Sequence, residues 1–267
     1  MSKSFFSDKI VWITGASSGI GEALVYELVK RDATVVISSN DAPGLERVKA
    51  ACLEKSSNVK CVPVDLSETT GINDTVEQQM KTLGRIDFLF NIAGISQRAR
   101  IEETPLWLDR KIFEINYFGT IALTKAVLPY MISQKSGHIA ATSSISGRFG
   151  FPLRSAYSAS KQALHGFFET LYLENKQNNI RTSIIIPGRV RTNISFHALD
   201  SEGKEQGKMD EGLAKGISPE KAAKIIVRGI IRNKREILVG SGELTLLYIR
   251  KIWPWLFFRI ADKVKST

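Results

Sequence analysis

Thr14-Gly15-Ala16-Ser17-Ser18-Gly19-Ile20-Gly21 directly follows the apolar run Ile10–Ile13 and leads into a helical pattern. Glycines at such a junction allow a tight turn and a close approach of the backbone to a pyrophosphate, which rests on the N-terminus of the following helix. The spacing is G-x-x-x-G-x-G rather than the general G-x-G-x-x-G. The stretch therefore predicts a strand-turn-helix unit that binds a dinucleotide.

Beyond this stretch, short apolar runs alternate with longer amphipathic patterns. Runs of this kind that are apolar on both faces predict a parallel sheet covered by helices on its two sides. The expected fold is one doubly wound, Rossmann-like α/β domain of about seven strands over residues 1–242, followed by a tail at 243–267. Strands are expected at Ile10–Ile13, Thr34–Ser38, Val59–Val64, Ile86–Phe90, His138–Thr142, Ile180–Ile186 and Glu236–Val239, and helices from near Gly19, Ala42, Glu68, Pro105, Ser155 and Ser218.

Composition is that of an ordinary globular protein with a basic surface. The 267 residues are 43% hydrophobic and 24% charged, and 37 Lys plus Arg against 27 Asp plus Glu give a net charge of +10. No zinc-finger, helix-turn-helix or RNA-binding pattern accompanies this charge, so we expect no nucleic-acid partner and no metal site. Cys52 and Cys61 are expected to be reduced. The start lacks a signal peptide and no apolar run spans a bilayer, which predicts a cytoplasmic protein.

A hydrolase interpretation competes for the same glycine stretch. Gly15-Ala16-Ser17-Ser18-Gly19 also fits the G-x-S-x-G nucleophile elbow. An elbow needs earlier strands to build its oxyanion loop, whereas only one strand precedes Ser17. His165 lies within a helical pattern and is expected to be an ordinary helix residue, so the dinucleotide interpretation is preferred.

The end of the second strand bears on the choice of cofactor. A carboxylate at this place would bind the ribose hydroxyls of NAD, but the sequence has Ser39-Asn40 there. Nothing at Ser39 repels a 2′-phosphate, and no Arg or Lys at Ser18, Ser39 or Asn40 attracts it. NADP is favoured, with NAD as the alternative.

The candidate catalytic group is a tyrosine followed one helical turn later by a lysine. Tyr157 and Lys161 share one helix face, and Ser144 closes an apolar strand 13 residues before Tyr157. Reduction of a ketone by hydride leaves an alkoxide that needs a proton, and a free phenol has a pKa of about 10. A lysine ammonium about 4 Å away predicts a depression of the Tyr157 pKa by about 2 to 3 units. Ser144 would hold the substrate oxygen by a hydrogen bond.

Together these motifs resemble the short-chain dehydrogenase/reductase family, over Lys9 to about Val239. The family motifs matched, in order along the chain, are Thr14–Gly21, Asp65-Leu66, Asn91-Ile92-Ala93-Gly94, Asn116, Ser144, Tyr157, Lys161 and Pro187-Gly188 with Thr192. One departure is Ile92, where the family usually has a second Asn. Lipid- and steroid-directed members of the family are the most similar.

The resemblance implies further roles for individual residues. Asp65 and Leu66 would contact adenine, and Asn116 would anchor a proton-relay water beside Lys161, which would bind the nicotinamide ribose. The remaining implied cofactor contacts line the cleft or face the nicotinamide; they are Asn91, Ala93, Gly94, Pro187, Gly188, Val190 and Thr192. The resemblance also implies a homodimer or homotetramer through the helices from Pro105 and Ser155.

Two regions after the catalytic elements depart from the strand-helix alternation. Residues 193–216 contain three glycines before Gly216 and predict a mobile loop or lid over the site. The tail 243–267 carries Trp253, Trp255, Phe257 and Phe258 among basic residues, and Pro254 divides it into two short segments. The tail is expected to contact a membrane peripherally, to pack on the domain or another subunit, or to wall the substrate pocket.

The sequence therefore predicts an oxidoreductase that interconverts a carbonyl and an alcohol on an apolar small molecule. Phe149, Phe151 and Phe196 would flank the substrate, while Arg98, Arg154 and His197 are expected to be ordinary surface residues rather than contacts for an anionic end. Competing interpretations are a non-catalytic NADPH-binding regulator, a sugar epimerase or dehydratase, and a basic membrane-coat or nucleic-acid-binding module.

Overall fold

A seven-stranded, all-parallel sheet forms the centre of the molecule. The computed structural model describes residues 4–261. The strand order is β3-β2-β1-β4-β5-β6-β7, and the chain therefore reverses its direction of progress across the sheet between β1 and β4. The strands are β1 Ile10–Thr14, β2 Thr34–Ser38, β3 Val59–Cys61, β4 Phe88–Asn91, β5 Gly137–Thr142, β6 Ile180–Pro187 and β7 Glu236–Val239.

Helices cover both faces of the sheet, which confirms the doubly wound, Rossmann-like fold. Their bounds are α1 Gly19–Val29, α2 Ala42–Ala51, α3 Ile72–Leu83, α4 Leu106–Phe113, α5 Thr120–Ser133, α6 Ser155–Asn175, α7 Glu211–Ala214, α8 Pro219–Ile231, α9 Thr245–Ile252 and α10 Pro254–Ala261. One apolar core lies between the sheet and α1, α2 and α8, and a second lies between the sheet and α3, α5 and α6. Both faces of the strands are buried because helices pack on each.

The sequence-predicted strands are all present, and only two boundaries differ by more than one residue. The third strand ends at Cys61 rather than Val64, and the fourth begins at Phe88 rather than Ile86. The single helical pattern expected from Pro105 is two α-helices joined by a π-helical turn at Glu114–Gly119. Such π turns often occur at functional sites, and this one carries Asn116.

The tail divides at Pro254 into two short helices, as the sequence predicts. Phe257 of α10 is 2% exposed and packs on Phe149 with a ring-centroid distance of 4.6 Å. The tail therefore packs on the domain, and its last part, 262–267, lies outside the described residues. The proposed boundary between residues 242 and 243 stays a prediction.

None of the helices within residues 4–261 combines the length and the apolar character needed to cross a bilayer. Cys52 and Cys61 are free thiols, as expected.

Candidate active site

The candidate site is a cleft of about 410 Å³ at the carboxyl ends of the strands. It opens where the strand order reverses between β1 and β4, the place where open α/β sheets bind their ligands. Its floor comes from the turns after β1, β4 and β5, and its walls come from α6, the segment after β6 and the start of the tail.

The glycine turn after β1 is shaped by two close approaches of the backbone. Gly15 has a φ of +65°, and a Cβ there would lie 2.7 Å from the backbone of Ala93. A Cβ on Gly21 would lie 2.0 Å from the Gly15 carbonyl oxygen. Ser18 is the N-cap of α1 but makes no side-chain capping hydrogen bond. The first N–H groups of α1 therefore lack a side-chain acceptor, which fits a pyrophosphate at this helix end.

The far end of the cleft fits the adenosine half of a dinucleotide. Ser39, Asn40, Asp65 and Leu66 line it. The Asp65 carboxylate accepts hydrogen bonds from the backbone and hydroxyl of Ser67, each 2.8 Å long, which hold the turn after β3 in place. The residues present thus fit an NAD(P) cofactor along the whole length of the cleft.

A cation that the sequence analysis did not identify lies beside this end. Arg47 of α2 donates to the Ser17 carbonyl over 2.8 Å and makes an ion pair with Glu22. The hydroxyl groups of Ser17 and Ser39 are 3.0 Å apart. The Arg47 guanidinium is therefore connected through Ser17 to Ser39, the residue near which a 2′-phosphate is expected, although Arg47 itself does not line the cleft. Its place in α2, eight residues after Ser39, hid it from the sequence pattern.

The catalytic candidates lie at the other end of the cleft. Tyr157 and Lys161 are 8% and 3% exposed, and both line the cleft one turn apart on α6. The Lys161 ammonium donates a 2.8 Å hydrogen bond to the carbonyl of Thr142, the last residue of β5. Ser144 follows two residues later and forms a side-chain hydrogen bond with Tyr157. The end of β5 thus positions both partners of the phenol.

The acid–base properties of this pair differ from the sequence-based expectation. Burial raises the pKa of Tyr157, against the Ser144 hydrogen bond and the charges of Arg98 and Arg154, which lower it. Burial also lowers the pKa of Lys161 to about 8. The predicted depression of the phenol pKa by Lys161 is therefore wrong in this structure. The reason is that desolvation of the phenol exceeds the effect of the nearby charges, while the ammonium is directed to Thr142.

Asn116 lies behind the catalytic pair rather than on the wall of the cleft. Its Oδ1 accepts from the Ile95 N–H over 2.8 Å, and its Nδ2 donates to the Ile95 carbonyl and to Ser160 Oγ. A Cβ at Gly94 would lie 2.9 Å from both Asn116 Oδ1 and Lys161 Nζ. Asn116 is therefore beside Lys161, as the resemblance implies, while its amide joins the segment after β4 to α6.

Asn91 lies away from the cleft. Its Nδ2 donates to Thr124 Oγ1 of α5 over 3.0 Å, and Asn91 is not among the residues that line the cavity. The expectation that its side chain lines the cofactor cleft is corrected accordingly. The physical reason is the alternation of side chains along β4, which directs Asn91 toward the helix layer.

A buried histidine supports the end of β5 from behind. His165 Nε2 lies 2.8 Å from Ser143 Oγ, which in turn donates to the Lys161 carbonyl. Burial lowers the pKa of His165 to about 4, so the ring is neutral at pH 7. His165 is therefore a structural residue of α6. The Ser17 hydroxyl is bonded to Ser39 rather than to a histidine, so the nucleophile-elbow interpretation fails.

The substrate side of the cleft combines apolar residues with buried charge. Phe151 lines it, whereas Phe149 packs under the tail and Phe196 is exposed. Leu246 of the tail forms part of the wall, so the tail helps to enclose the pocket. His197 also lines the cleft and lies 2.9 Å from Glu205.

Two arginines expected on the surface are buried instead. Arg98 is 8% exposed, and the Arg154 side chain is 13% exposed. Both make ion pairs with Asp210, which belongs to the 193–216 segment and was not identified from the sequence. No local pattern reports this contact, because Asp210 is 112 residues from Arg98 along the chain.

Most sequence-predicted site residues line this one cleft. They are Gly15, Ser17, Ser18, Gly19, Ile20, Gly21, Ser39, Asn40, Asp65, Leu66, Ala93, Gly94, Ser144, Tyr157, Lys161, Pro187, Gly188, Val190 and Thr192. Asn91 and Asn116 do not, and both are buried.

Known proteins with this architecture are numerous. The sequence profile of the short chain dehydrogenases matches residues 9–202. A Drosophila melanogaster protein named dehydrogenase/reductase SDR family protein 7-like is 39% identical over 260 residues, which is 96% of this chain and 80% of that protein. A short-chain dehydrogenase/reductase from Burkholderia phymatum, solved in complex with NAD, superimposes with a TM-score of 0.84 at 22% identity and covers 96% of each chain. An alcohol dehydrogenase from Thermococcus sibiricus, complexed with 5-hydroxy-NADP, gives 0.75 at 23% identity, covering 88% of this chain and 97% of that one.

We predict that Gly15→Ala weakens both the fold and nucleotide binding. The positive φ and the contact with the Ala93 backbone should lower the free energy of unfolding by about 2 kcal/mol, and nucleotide affinity should fall at least about tenfold. Gly166→Ala is the matched control, because Gly166 lies in α6 with no atom near its Cβ position. That change should raise the free energy of unfolding by up to about 1 kcal/mol. Denaturant unfolding measures the free energy of unfolding, and fluorescence titration measures nucleotide affinity. Equal values for the two variants would contradict the requirement for glycine at position 15.

Proposed function

The chain belongs to the short-chain dehydrogenase family of oxidoreductases that act on CH–OH groups. From that premise we propose that it interconverts a ketone or aldehyde with an alcohol on an apolar substrate. We propose further that it prefers NADP(H). The observation that carries the proposal is the buried Tyr157, which lies at the cleft between Ser144 and Lys161. A nicotinamide cofactor, when bound, supplies or accepts the hydride.

The residues of the chain handle the proton and the orientation. Ser144 would hold the substrate oxygen, and Tyr157 would donate a proton to it as the carbonyl is reduced. Because burial raises its pKa, Tyr157 is protonated at neutral pH and is ready to donate. Lys161, held by Thr142, would contact the ribose of the nicotinamide. Asn116 would keep the Ile95 backbone and α6 in register beside it.

The proposal that the substrate is apolar rests on the wall of the cleft. Aliphatic and aromatic residues contribute much of this wall, beside the buried charges: Ile95, Ile115, Ile145, Phe151, Ile194, Leu213 and Leu246. A pocket of this composition binds an apolar body while a few polar groups fix its reacting end.

The expected oligomer and location stay predictions. We propose a homodimer or homotetramer through α4 and α6, because Leu106 and Leu173 expose 63% and 60% of their surface on these helices. The cytoplasmic location expected from the sequence is likewise retained as a prediction.

We expect Tyr157→Phe to bind nucleotide normally but to lose turnover by about 10² to 10⁴-fold, the range for removal of a general acid. Fluorescence titration with NADPH and NADH measures nucleotide binding. Oxidation of the bound cofactor in the presence of a panel of ketones and aldehydes measures turnover. Failure of the wild-type protein to bind either nucleotide at high micromolar concentration would rule out the proposal. Binding without turnover, with biological effect unchanged in Tyr157→Phe, would support a non-catalytic NADPH-binding regulator instead.

The preference for NADP(H) is expected to depend on Arg47. Its guanidinium contacts the Ser17 carbonyl, and the Ser17 hydroxyl contacts that of Ser39. Arg47→Met should therefore weaken NADPH binding by about tenfold and NADH binding much less, since a charged hydrogen bond to a phosphate contributes about 1.5 kcal/mol or more. Lys49→Met is the control, because residues two apart on α2 point in different directions. Equal losses for both nucleotides would contradict the assignment.

We also propose that the tail contacts an anionic membrane peripherally. Its outer face exposes Trp253, Trp255 and Phe258 by 52%, 62% and 56%, and Arg250 and Lys251 lie among them. Large apolar groups flanked by cations suit the surface of an anionic bilayer. The buried Phe257 would hold this face outward.

The double variant Trp253→Ser/Trp255→Ser should reduce binding to phosphatidylserine-containing vesicles by about tenfold or more, because each indole would otherwise bury apolar area in the interface. Co-sedimentation measures this, with phosphatidylcholine vesicles as the uncharged comparison. Leu53→Ser, which removes an exposed side chain between α2 and β3, should bind like the wild type. Identical binding of all three proteins would exclude the tail as the membrane contact.

A further inference from the structure

A buried group of three charges lies on the substrate side of the cleft. The Asp210 carboxylate accepts from Arg98 through Nε at 3.1 Å and Nη2 at 2.5 Å. It also accepts from Arg154 Nη2 at 2.9 Å. The Arg98 and Asp210 side chains are only 4% and 5% exposed. Ion pairs at this depth are costly to disrupt, because removal of one partner leaves a buried charge behind.

The three residues come from three separate parts of the chain. Arg98 follows β4, Arg154 precedes Tyr157 by three residues, and Asp210 belongs to the 193–216 segment. The Arg98 N–H donates to the Leu199 carbonyl over 2.8 Å, and the Leu199 N–H donates to the Ser96 carbonyl over 2.9 Å. The segment is thus joined to the turn after β4 by backbone hydrogen bonds as well as by the ion pairs. Several of its residues line the substrate side of the cleft, and we call residues 193–216 the lid.

The backbone around Asp210 is arranged to present its carboxylate to the arginines. Asp210 is the N-cap of α7, a position where Asp commonly caps the helix, yet its side chain makes no capping hydrogen bond. Its N–H donates to Ser195 Oγ over 3.1 Å, and Gln206 Nε2 donates to its Oδ1 over 3.2 Å. Lid residues therefore hold the carboxylate toward Arg98 and Arg154, and the carboxylate does not cap α7.

The same charges act on the reacting phenol. Among the residues described, the other charged or titratable side chains that line the cleft with Tyr157 are Asp65, Arg98, Arg154, Lys161, Arg189, His197, Asp210 and Glu243. Burial is the main influence on Tyr157, and the two arginines oppose it by lowering the pKa. Asp210 offsets part of their positive charge. The position of the lid and the charge beside the phenol are therefore coupled through one carboxylate.

We infer that Asp210 is a positioning residue for the proposed reaction: it holds the lid closed on Arg98 and Arg154 and keeps both guanidinium groups in place beside Tyr157. The inference rests on the proposed function for its effect on turnover. Its effect on the lid is independent of turnover.

Asp210→Asn tests the inference, because it removes the charge and keeps the size of the side chain. The KM for the carbonyl substrate should rise about tenfold as the lid loosens. In ketone reduction, kcat/KM falls as pH rises through the pKa of the proton donor. Without the carboxylate the arginines favour phenolate more strongly, so this fall should move to lower pH by about one unit, the order expected for one unit charge nearby at an effective dielectric near 20.

Three further variants separate positioning from a merely structural role. Arg154→Gln should move the fall in kcat/KM to higher pH, in the opposite direction. Asp210→Glu should restore the wild-type profile at least in part. Glu205→Gln changes a charge on the exposed part of the same lid, where Glu205 pairs with His197, and should leave the pH profile unchanged. A change in KM with no shift of the profile in either Asp210→Asn or Arg154→Gln would overturn the inference.

Limited digestion with trypsin measures the lid without any substrate. Lys204 and Lys208 lie in the lid and are exposed, and cleavage there should be at least about fivefold faster in Asp210→Asn than in the wild type or Glu205→Gln. Unchanged cleavage would overturn the inference even if no substrate is found. Absence of turnover in every protein, including the wild type, would count against the proposed function. Turnover with no shift in the pH dependence of kcat/KM for the variants would count against the role of Asp210 alone.

Discussion

All seven strands of the sheet run in the same direction, and this parallel alignment fixes the position of the cleft. Because all strands run the same way, their carboxyl ends meet at one edge of the sheet, and the reversal of order between β1 and β4 leaves a cleft there. The glycine turn after β1, the turn after β4 and the end of β5 converge on that cleft. The sheet topology alone therefore brings residues more than 100 positions apart in the sequence to one site.

Burial sets the chemistry at this edge. Tyr157 and Lys161 are both withdrawn from water, which raises the pKa of the phenol and lowers that of the ammonium to about 8. Desolvation acts on both groups in the direction of their neutral forms. The positive charge that reaches the phenol comes from Arg98 and Arg154 rather than from the lysine one turn away. The pKa of the phenol proposed as proton donor therefore depends on charged residues in the wall of the cleft as well as on its own helix.

The lid and the tail complete the pocket from outside the repeating strand-helix pattern. The lid is joined to the turn after β4 through Leu199 and to the buried arginines through Asp210. The tail is anchored by Phe257 on Phe149, and it lines the cleft with Leu246. Both elements place a buried anchor against the domain and leave other residues exposed. Under the proposed function, we therefore expect these two segments to determine substrate selection.

Local sequence patterns were sufficient to predict the fold class, the glycine turn, the positions of the strands along the chain and the set of Ser144, Tyr157 and Lys161. These follow from local spacing: apolar runs predict buried strands, glycines predict the tight turn, and four residues bring a tyrosine and a lysine to one helix face. The division of the tail at Pro254 is local for the same reason. Three contacts could be found only from the folded molecule: Asn91 faces α5, Arg47 contacts Ser17, and Asp210 pairs with Arg98. The direction in which the Tyr157 pKa shifts also depends on the tertiary structure. Desolvation and long-range ion pairs are set by the distant segments that pack together, and residue spacing along the chain does not reveal that packing.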